Sequence, residues 1–261
     1  MHKSIRTRLW VGVVSFIAIV AFFYPFVIPP DITYIPEEAV YEPSSPVPDF
    51  SQHKRVIDKK KAFFNYLKPE VEKQNRQILI QRSLLVMLRA RINNGRDINA
   101  TERLSLNNLC KIYAVKCGNL SDSVFQQLLQ KVDIIPVELV LVQAANESAW
   151  GTSRFARQGY NFFGLWCFKK GCGFVPRRRD EGTNHEVAKF GSLSEGVSKY
   201  LNNLNRHAAY EELRVIRSVL RNNQQSITAS ALIEGLLSYS ERGQAYIEEL
   251  HAMIRVNRKY M

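Results

Sequence analysis

The sequence predicts a mainly α fold of the α+β type. A helical lobe carries a small β-hairpin lobe, and both follow a helical N-terminal region and a transmembrane anchor. Three observations predict it. Apolar residues recur at three- and four-residue spacings through 54–94, 100–115, 121–132 and 193–260, the period of a helix with one buried face. A nearly all-apolar stretch, LVLVQAANE at 139–147, stands between those segments and reads as a buried helix. Strand-like alternation occurs in one place, in GCGFVPRRR and HEVAKF around DEGTN.

In chain order, MHKSIRTR carries Lys3, Arg6 and Arg8, and no charge follows from Leu9 to Pro30. Such a run spans a hydrocarbon core of roughly 30 Å at about 1.5 Å per residue. Cations before it and none just after predict a single-pass anchor at 9–28, with tail 1–8 in the cytoplasm and the remainder exported. A cleaved signal peptide is the alternative. The bulky FFYPFVIPP lacks a small-x-small cleavage site and favours the uncleaved anchor. Residues 29–53 read as a Pro-rich linker. Pro29, Pro30, Pro36, Pro43, Pro46 and Pro48 fall there with five acids and, up to Phe50, no base, so an extended and poorly packed segment is expected.

Residues 54–132 form the helical N-terminal region. Phe63, Phe64, Leu67, Val71, Ile78, Leu84, Leu85, Leu88 and Ile92 make one face of a long helix, Asn94-Gly95 supplies a stop, and Pro69 is a candidate kink. Ser121 is a candidate N-cap for the helix over 121–132. Pro136 suits the first turn of the next helix.

That next helix holds the chemistry. Val140, Gln143, Ala144 and Glu147 share one face, and Glu147 is the single ionisable side chain between Glu138 and Arg154. A carboxyl at the end of an apolar helix, beside Trp150, is poorly solvated. Desolvation raises its pKa, and a carboxyl still protonated near neutrality is a general acid. The plain alternative is a Glu turned into water. After Gly151 comes YNFFGLW, in which Tyr160, Phe162, Phe163 and Trp166 surround Asn161 and Gly164. Aromatic faces beside an amide suit a sugar ring; a hydrophobic plug under a loop is the alternative.

QAANESAWGTSRFA followed by NFFG resembles the bacterial cell-wall glucosaminidases, glycoside hydrolase family seventy-three, which carry a Q-A-x-x-E-S-x-W-G block and then N-x-F-G. Within that family it is similar to the bacterial Bax-type proteins. Ala149 stands where many members have Gly, and Trp166 where many have Lys. The resemblance runs from about Asp133 to the C-terminus. It implies a lysozyme-like α+β glucosaminidase domain over 133–261, with Glu147 as catalytic acid and a second carboxylate in the β-lobe. Asp180, Glu181 and Glu186 are candidates for the second, with Glu181 or Glu186 preferred. Tyr239 and Tyr246 resemble the tyrosines lining the family cleft, Tyr239 taken as catalytic and Tyr246 as substrate-binding. Trp150, Tyr160, Asn161, Phe163 and Trp166 complete the expected sugar contacts. With the anchor, this implies a bacterial inner-membrane protein whose catalytic domain is periplasmic.

Of the four cysteines, Cys167 and Cys172 bracket a turn and suit a disulfide. Cys110 and Cys117 lie on one face if helical, although Gly118 signals a helix end. A zinc site from Cys167, Cys172 and His185 fits no common spacing, and neither a metal nor a cofactor is implied. The net charge is +12; without the three tail cations and five linker acids the rest carries about +14. Outside a membrane such charge meets wall-peptide carboxylates or lipid phosphates, and the anchor argues against nucleic acid. Arg177, Arg178 and Arg179 either grip substrate carboxylates or form a solvated strand edge. The predicted partner is peptidoglycan or another N-acetylglucosamine-containing polymer, cut by an endo-β-N-acetylglucosaminidase. The alternatives are a lytic transglycosylase or muramidase on the same polymer, and a non-catalytic wall-binding protein.

Overall fold

The computed structural model describes residues 46–176 and 185–261. The expected tail, the anchor at 9–28, most of the linker, Arg177–Arg179, Asp180 and Glu181 lie outside the described residues. Among the described residues no helix is long and apolar enough to cross a membrane.

The longest element is α1, Val56–Asn93. Its 38 residues extend about 57 Å. It buries Phe63, Phe64, Leu67, Val71, Ile78, Leu84, Leu85 and Leu88 on one face, as the sequence period demands. Pro69 neither divides nor ends it. Pro69 and Asn65, whose carbonyl loses a partner, are both exposed, which leaves that carbonyl open to hydration. Asn94 caps the end and Gly95 follows at φ +68°.

Helix α2 (Ala100–Ile112) opens with a capping box. The Asn99 side chain accepts from the Glu102 amide, and Glu102 accepts from Asn99 in return. The chain then turns back through Ala114 at φ +48°, and Cys117 bonds to Cys110. The helix does end before Gly118, and the return of the chain is what closes this bridge. In α3 (Asp122–Lys131) Ser121 occupies the N-cap position, but its hydroxyl meets Ser123 instead of a backbone amide.

The centre of the core is α4, Val137–Glu147, with Leu139 through Ala145 all buried. Pro136 stands just ahead of its first turn. Helix α1 packs on α3, on α4 and on α6 (Leu193–Arg206), and α4 also packs on α8 (Ala229–Ile233) and α9 (Gln244–Asn257). Between them come α5 (Arg154–Gly159) and α7 (Glu211–Asn222).

One buried cation ties this together. Arg217 of α7 is 1 % exposed. It donates to the carbonyls of Gln130, Lys131, Asp133 and Ile134 and to Asn205 Oδ1. It thereby satisfies the orphan carbonyls at the end of α3, just where α4 is about to start. Burial lowers its pKa to about 10, so it stays charged at neutral pH.

The sheet is three-stranded, in the order β1 (Trp166–Cys167), β3 (Glu186–Ala188), β2 (Gly173–Phe174), all antiparallel. The expected hairpin is β2–β3. The third strand, β1, is an addition to it, two residues long and too short to show a period.

The linker also differs from expectation at its end. Asp49 caps a 3-10 turn at Phe50–Gln52, and Phe50 is 1 % exposed against Phe63 and Tyr66. A ring of that size gains more by burial than its short segment loses in freedom.

Candidate active site

Glu147 is the last residue of α4, so the rigid core aims it while its side chain emerges into solvent. The chain after it reverses sharply. Ala149, Trp150 and Gly151 all have left-handed backbones, at φ +51°, +61° and +75°. Ser148 holds the reversal: its hydroxyl donates to the Ala144 carbonyl and accepts from the Gly151 amide. Gly151 is required for space as well. A Cβ there would stand 2.5 Å from the Phe50 ring. The left-handed φ at Ala149 is one that glycine adopts without strain.

The Tyr246 hydroxyl of α9 donates to Glu147 Oε1 at 2.9 Å. The Gln143 amide, one turn earlier on α4, donates to the Tyr246 oxygen at 3.0 Å, and the buried Tyr200 hydroxyl donates to Gln143 Oε1. Three donors thus run in series toward the carboxyl. Tyr239 lies parallel to Tyr246 at 5.6 Å and donates to the Phe163 carbonyl. Opposite, Gly164 at φ +67° brings its backbone close: a Cβ there would lie 3.7 Å from Glu147 Oε2.

Burial among these groups raises the Glu147 pKa. The hydrogen bond from Tyr246 and the charge of Arg242 pull the other way, and nearby Glu249 adds to the rise. The carboxyl is crowded by protein yet reached by water. Glu249 is a nearby carboxylate that sequence reasoning did not single out. It pairs with Arg242 at 2.7 Å and accepts from Asn146.

Two hollows are lined by sequence neighbours of Glu147 and of Gly164, and Glu147 itself lines neither. One, of about 470 Å³, is lined by Asn146 and Ala149, which bracket Glu147, with Trp150, Lys60 and Glu249. The other, of about 610 Å³, begins at Leu165, next to Gly164, and continues over Trp166.

The expected sugar contacts divide. Trp166 is 50 % exposed and lines the second hollow. Trp150 is half-buried against Phe63 and Phe64, with Lys60 over its ring, and lines the first. Tyr160 is half-buried with a left-handed backbone at φ +48°.

Asn161 and Phe163 are buried instead. Among the described residues the Asn161 amide bonds backbone, donating to Leu165 and Ala188 and accepting from the amides of Phe163 and Leu165. Its role is to shape the loop that carries Gly164. Phe163 stacks on Tyr200 at 3.9 Å.

Glu186 is 4 % exposed in β3, its oxygens accepting from the amides of Gly171 and Gly173. Cys167 and Cys172 form a disulfide around the same turn. Their sulfurs are bonded to each other, which removes the zinc alternative at this turn.

A family model described as "Glucosaminidase: Mannosyl-glycoprotein endo-beta-N-acetylglucosaminidase" matches residues 122–259. The chain belongs to the glucosaminidase family. It is 37 % identical over 217 residues to Protein bax of Escherichia coli (strain K12), covering 83 % of this chain and 76 % of that protein, which makes it a Bax-type member. No solved structure matches the chain. The glucosaminidase match begins at Asp122 and so takes in α3, whose C-terminal carbonyls Arg217 holds. Membership supports a glycosidase acting on an N-acetylglucosamine-containing polymer.

Proposed function

We propose that the protein is an endo-β-N-acetylglucosaminidase that cuts the glycan strands of peptidoglycan, with Glu147 as general acid. The observation that carries this reading is the water-accessible carboxyl whose pKa burial raises, oriented by Tyr246, with its sequence neighbours Asn146, Ala149 and Trp150 lining a hollow. Protonated Glu147 gives its proton to the glycosidic oxygen as the C–O bond breaks. The positive charge that develops on the sugar ring then needs a partner. Either a second carboxylate activates water, or the substrate's own acetamido oxygen attacks, which is the substrate-assisted exception to the two-carboxylate scheme. Residues 9–28 would anchor the chain in the inner membrane, with the catalytic domain in the periplasm.

The test is digestion of purified sacculi by the wild type and by Glu147→Gln. Loss of a general acid costs about 10²–10⁴ in rate. Wild-type fragments should end in reducing N-acetylglucosamine. Anhydromuramic ends would assign the other glycosidic bond and a lytic transglycosylase. Binding to sacculi without fragment release would assign a non-catalytic wall binder.

A further inference from the structure

We propose that the hollow beside β1 is a subsite for the carboxylates of the peptide stems carried by the glycan, so that the protein prefers peptide-bearing strands to neutral ones. This rests on the peptidoglycan reading above and goes beyond it by naming the part of the substrate that is recognised.

The lining combines a flat face, hydrogen-bonding amides and a single sign of charge. Trp166 presents a half-exposed indole. Asn202 and Asn203 supply amides, and Lys199, Arg206 and His207 supply nitrogen donors. No acidic side chain lines the hollow among the described residues. Lys199 and Arg206 are exposed, and neither takes part in an ion pair among the described residues. Five other arginines, Arg82, Arg89, Arg91, Arg221 and Arg242, are paired with carboxylates, and what sets Lys199 and Arg206 apart is that they share one hollow. An unneutralised pair in a concave surface focuses field on an anion.

The position decides what carries that anion. The hollow opens at Leu165, one residue after Gly164, which faces Glu147. Tyr210, just beyond His207 and Ala208 of the lining, packs on Tyr239, which lies parallel to the Tyr246 that holds Glu147. A polymer lying across the acid would continue over Trp166 and reach Lys199 and Arg206. The anion is therefore attached to the saccharide being cut, and a peptide-stem carboxylate is the group that meets this demand. A free anion or a lipid headgroup would have no reason to share a surface with the acid.

The test uses the full chain carrying Glu147→Gln, so that binding is read without turnover. Two soluble glycans of equal length are titrated: a peptide-bearing peptidoglycan fragment and an uncharged N-acetylglucosamine oligomer. At low salt the charged fragment should bind about tenfold more tightly, as two partly screened ion pairs allow, and added salt should erode the preference. Adding Lys199→Gln and Arg206→Gln should remove most of it. The proposal is overturned by a preference that is absent, insensitive to salt, or intact in the triple variant. The salt dependence of the parent stands whether or not the triple variant folds. Because binding is separate from cleavage, a wild type that releases no reducing N-acetylglucosamine but keeps the salt-sensitive preference refutes the activity alone. Cleavage of both glycans with equal KM refutes the subsite alone.

Discussion

The Tyr246 hydroxyl and Glu147 Oε1 are hydrogen-bonded at 2.9 Å although 99 positions separate them in sequence. The bond favours the ionised carboxyl and so works against the burial that raises its pKa. A general acid works only while protonated, so kcat/KM falls as pH rises through its pKa. Tyr246→Phe removes a donor to the carboxylate, which should move this alkaline limb to higher pH. It also leaves the buried Gln143 amide without its acceptor, at a cost of about 1–3 kcal/mol in stability. A pH–rate profile and a thermal melt check both effects, and a limb displaced to lower pH would contradict the arrangement.

What the sequence reveals here is local. The apolar face of α1, its stop at Asn94-Gly95, the buried α4 and the turn between Cys167 and Cys172 each follow from spacings of a few residues. The chain Tyr200–Gln143–Tyr246–Glu147 does not, because its partners lie 57, 103 and 99 positions apart and each tyrosine alone reads as a core aromatic. Arg217 is hidden for a related reason: in sequence it is one more cation on an amphipathic helix, and only the fold supplies the carbonyls it holds. Strand β1 has too few residues to show alternation. Phe50 is masked by the prolines around it.

Ala149→Gly should stabilise the protein. The left-handed backbone at φ +51° costs an L-residue roughly 1–2 kcal/mol. The side chain is exposed, so little packing is lost. Glycine adds about 0.5–1 kcal/mol of unfolded-state freedom against that gain. The net is roughly 0.5–1 kcal/mol more stability. Urea unfolding measures it, and a lower midpoint at unchanged slope would show that the turn is not strained.

Asp133 should make stability depend on acid. Burial alone would raise its carboxyl, but the hydrogen bond from Arg221 and the charges of Arg217, Arg82 and Arg221 outweigh it and leave the pKa lowered. A depressed folded-state pKa contributes stability that is present above the unfolded value, about 3.9, and is lost as pH falls through the folded one. Asp133→Asn should therefore lower stability at neutral pH and flatten its decline in acid. Arg217→Met should be worse, by about 3–5 kcal/mol, because it removes a buried charge beside Asp133 and takes the Arg217 donor from four backbone carbonyls. Denaturation midpoints from neutral pH downward test the slope, and parallel curves for wild type and Asp133→Asn would refute it.

Glu186 separates a structural from a chemical carboxylate. Its two oxygens accept from the amides of Gly171 and Gly173, on the turn that the Cys167–Cys172 bond also closes. With both oxygens so engaged and the side chain 4 % exposed, its work is to brace the sheet that carries Trp166. Glu186→Gln turns one acceptor into a donor facing an N–H and should cost about 1–3 kcal/mol. Reducing the neighbouring disulfide should cost about 2 kcal/mol more through the freedom regained by its short loop. If Glu186 braces the sheet, the variant melts earlier, loses more on reduction than the wild type does, and raises KM more than it lowers kcat. If it is instead the second carboxylate, kcat falls by about 10²–10⁴ while the melting point hardly moves. The split between kcat and KM, read beside the melt with and without reductant, decides between the two.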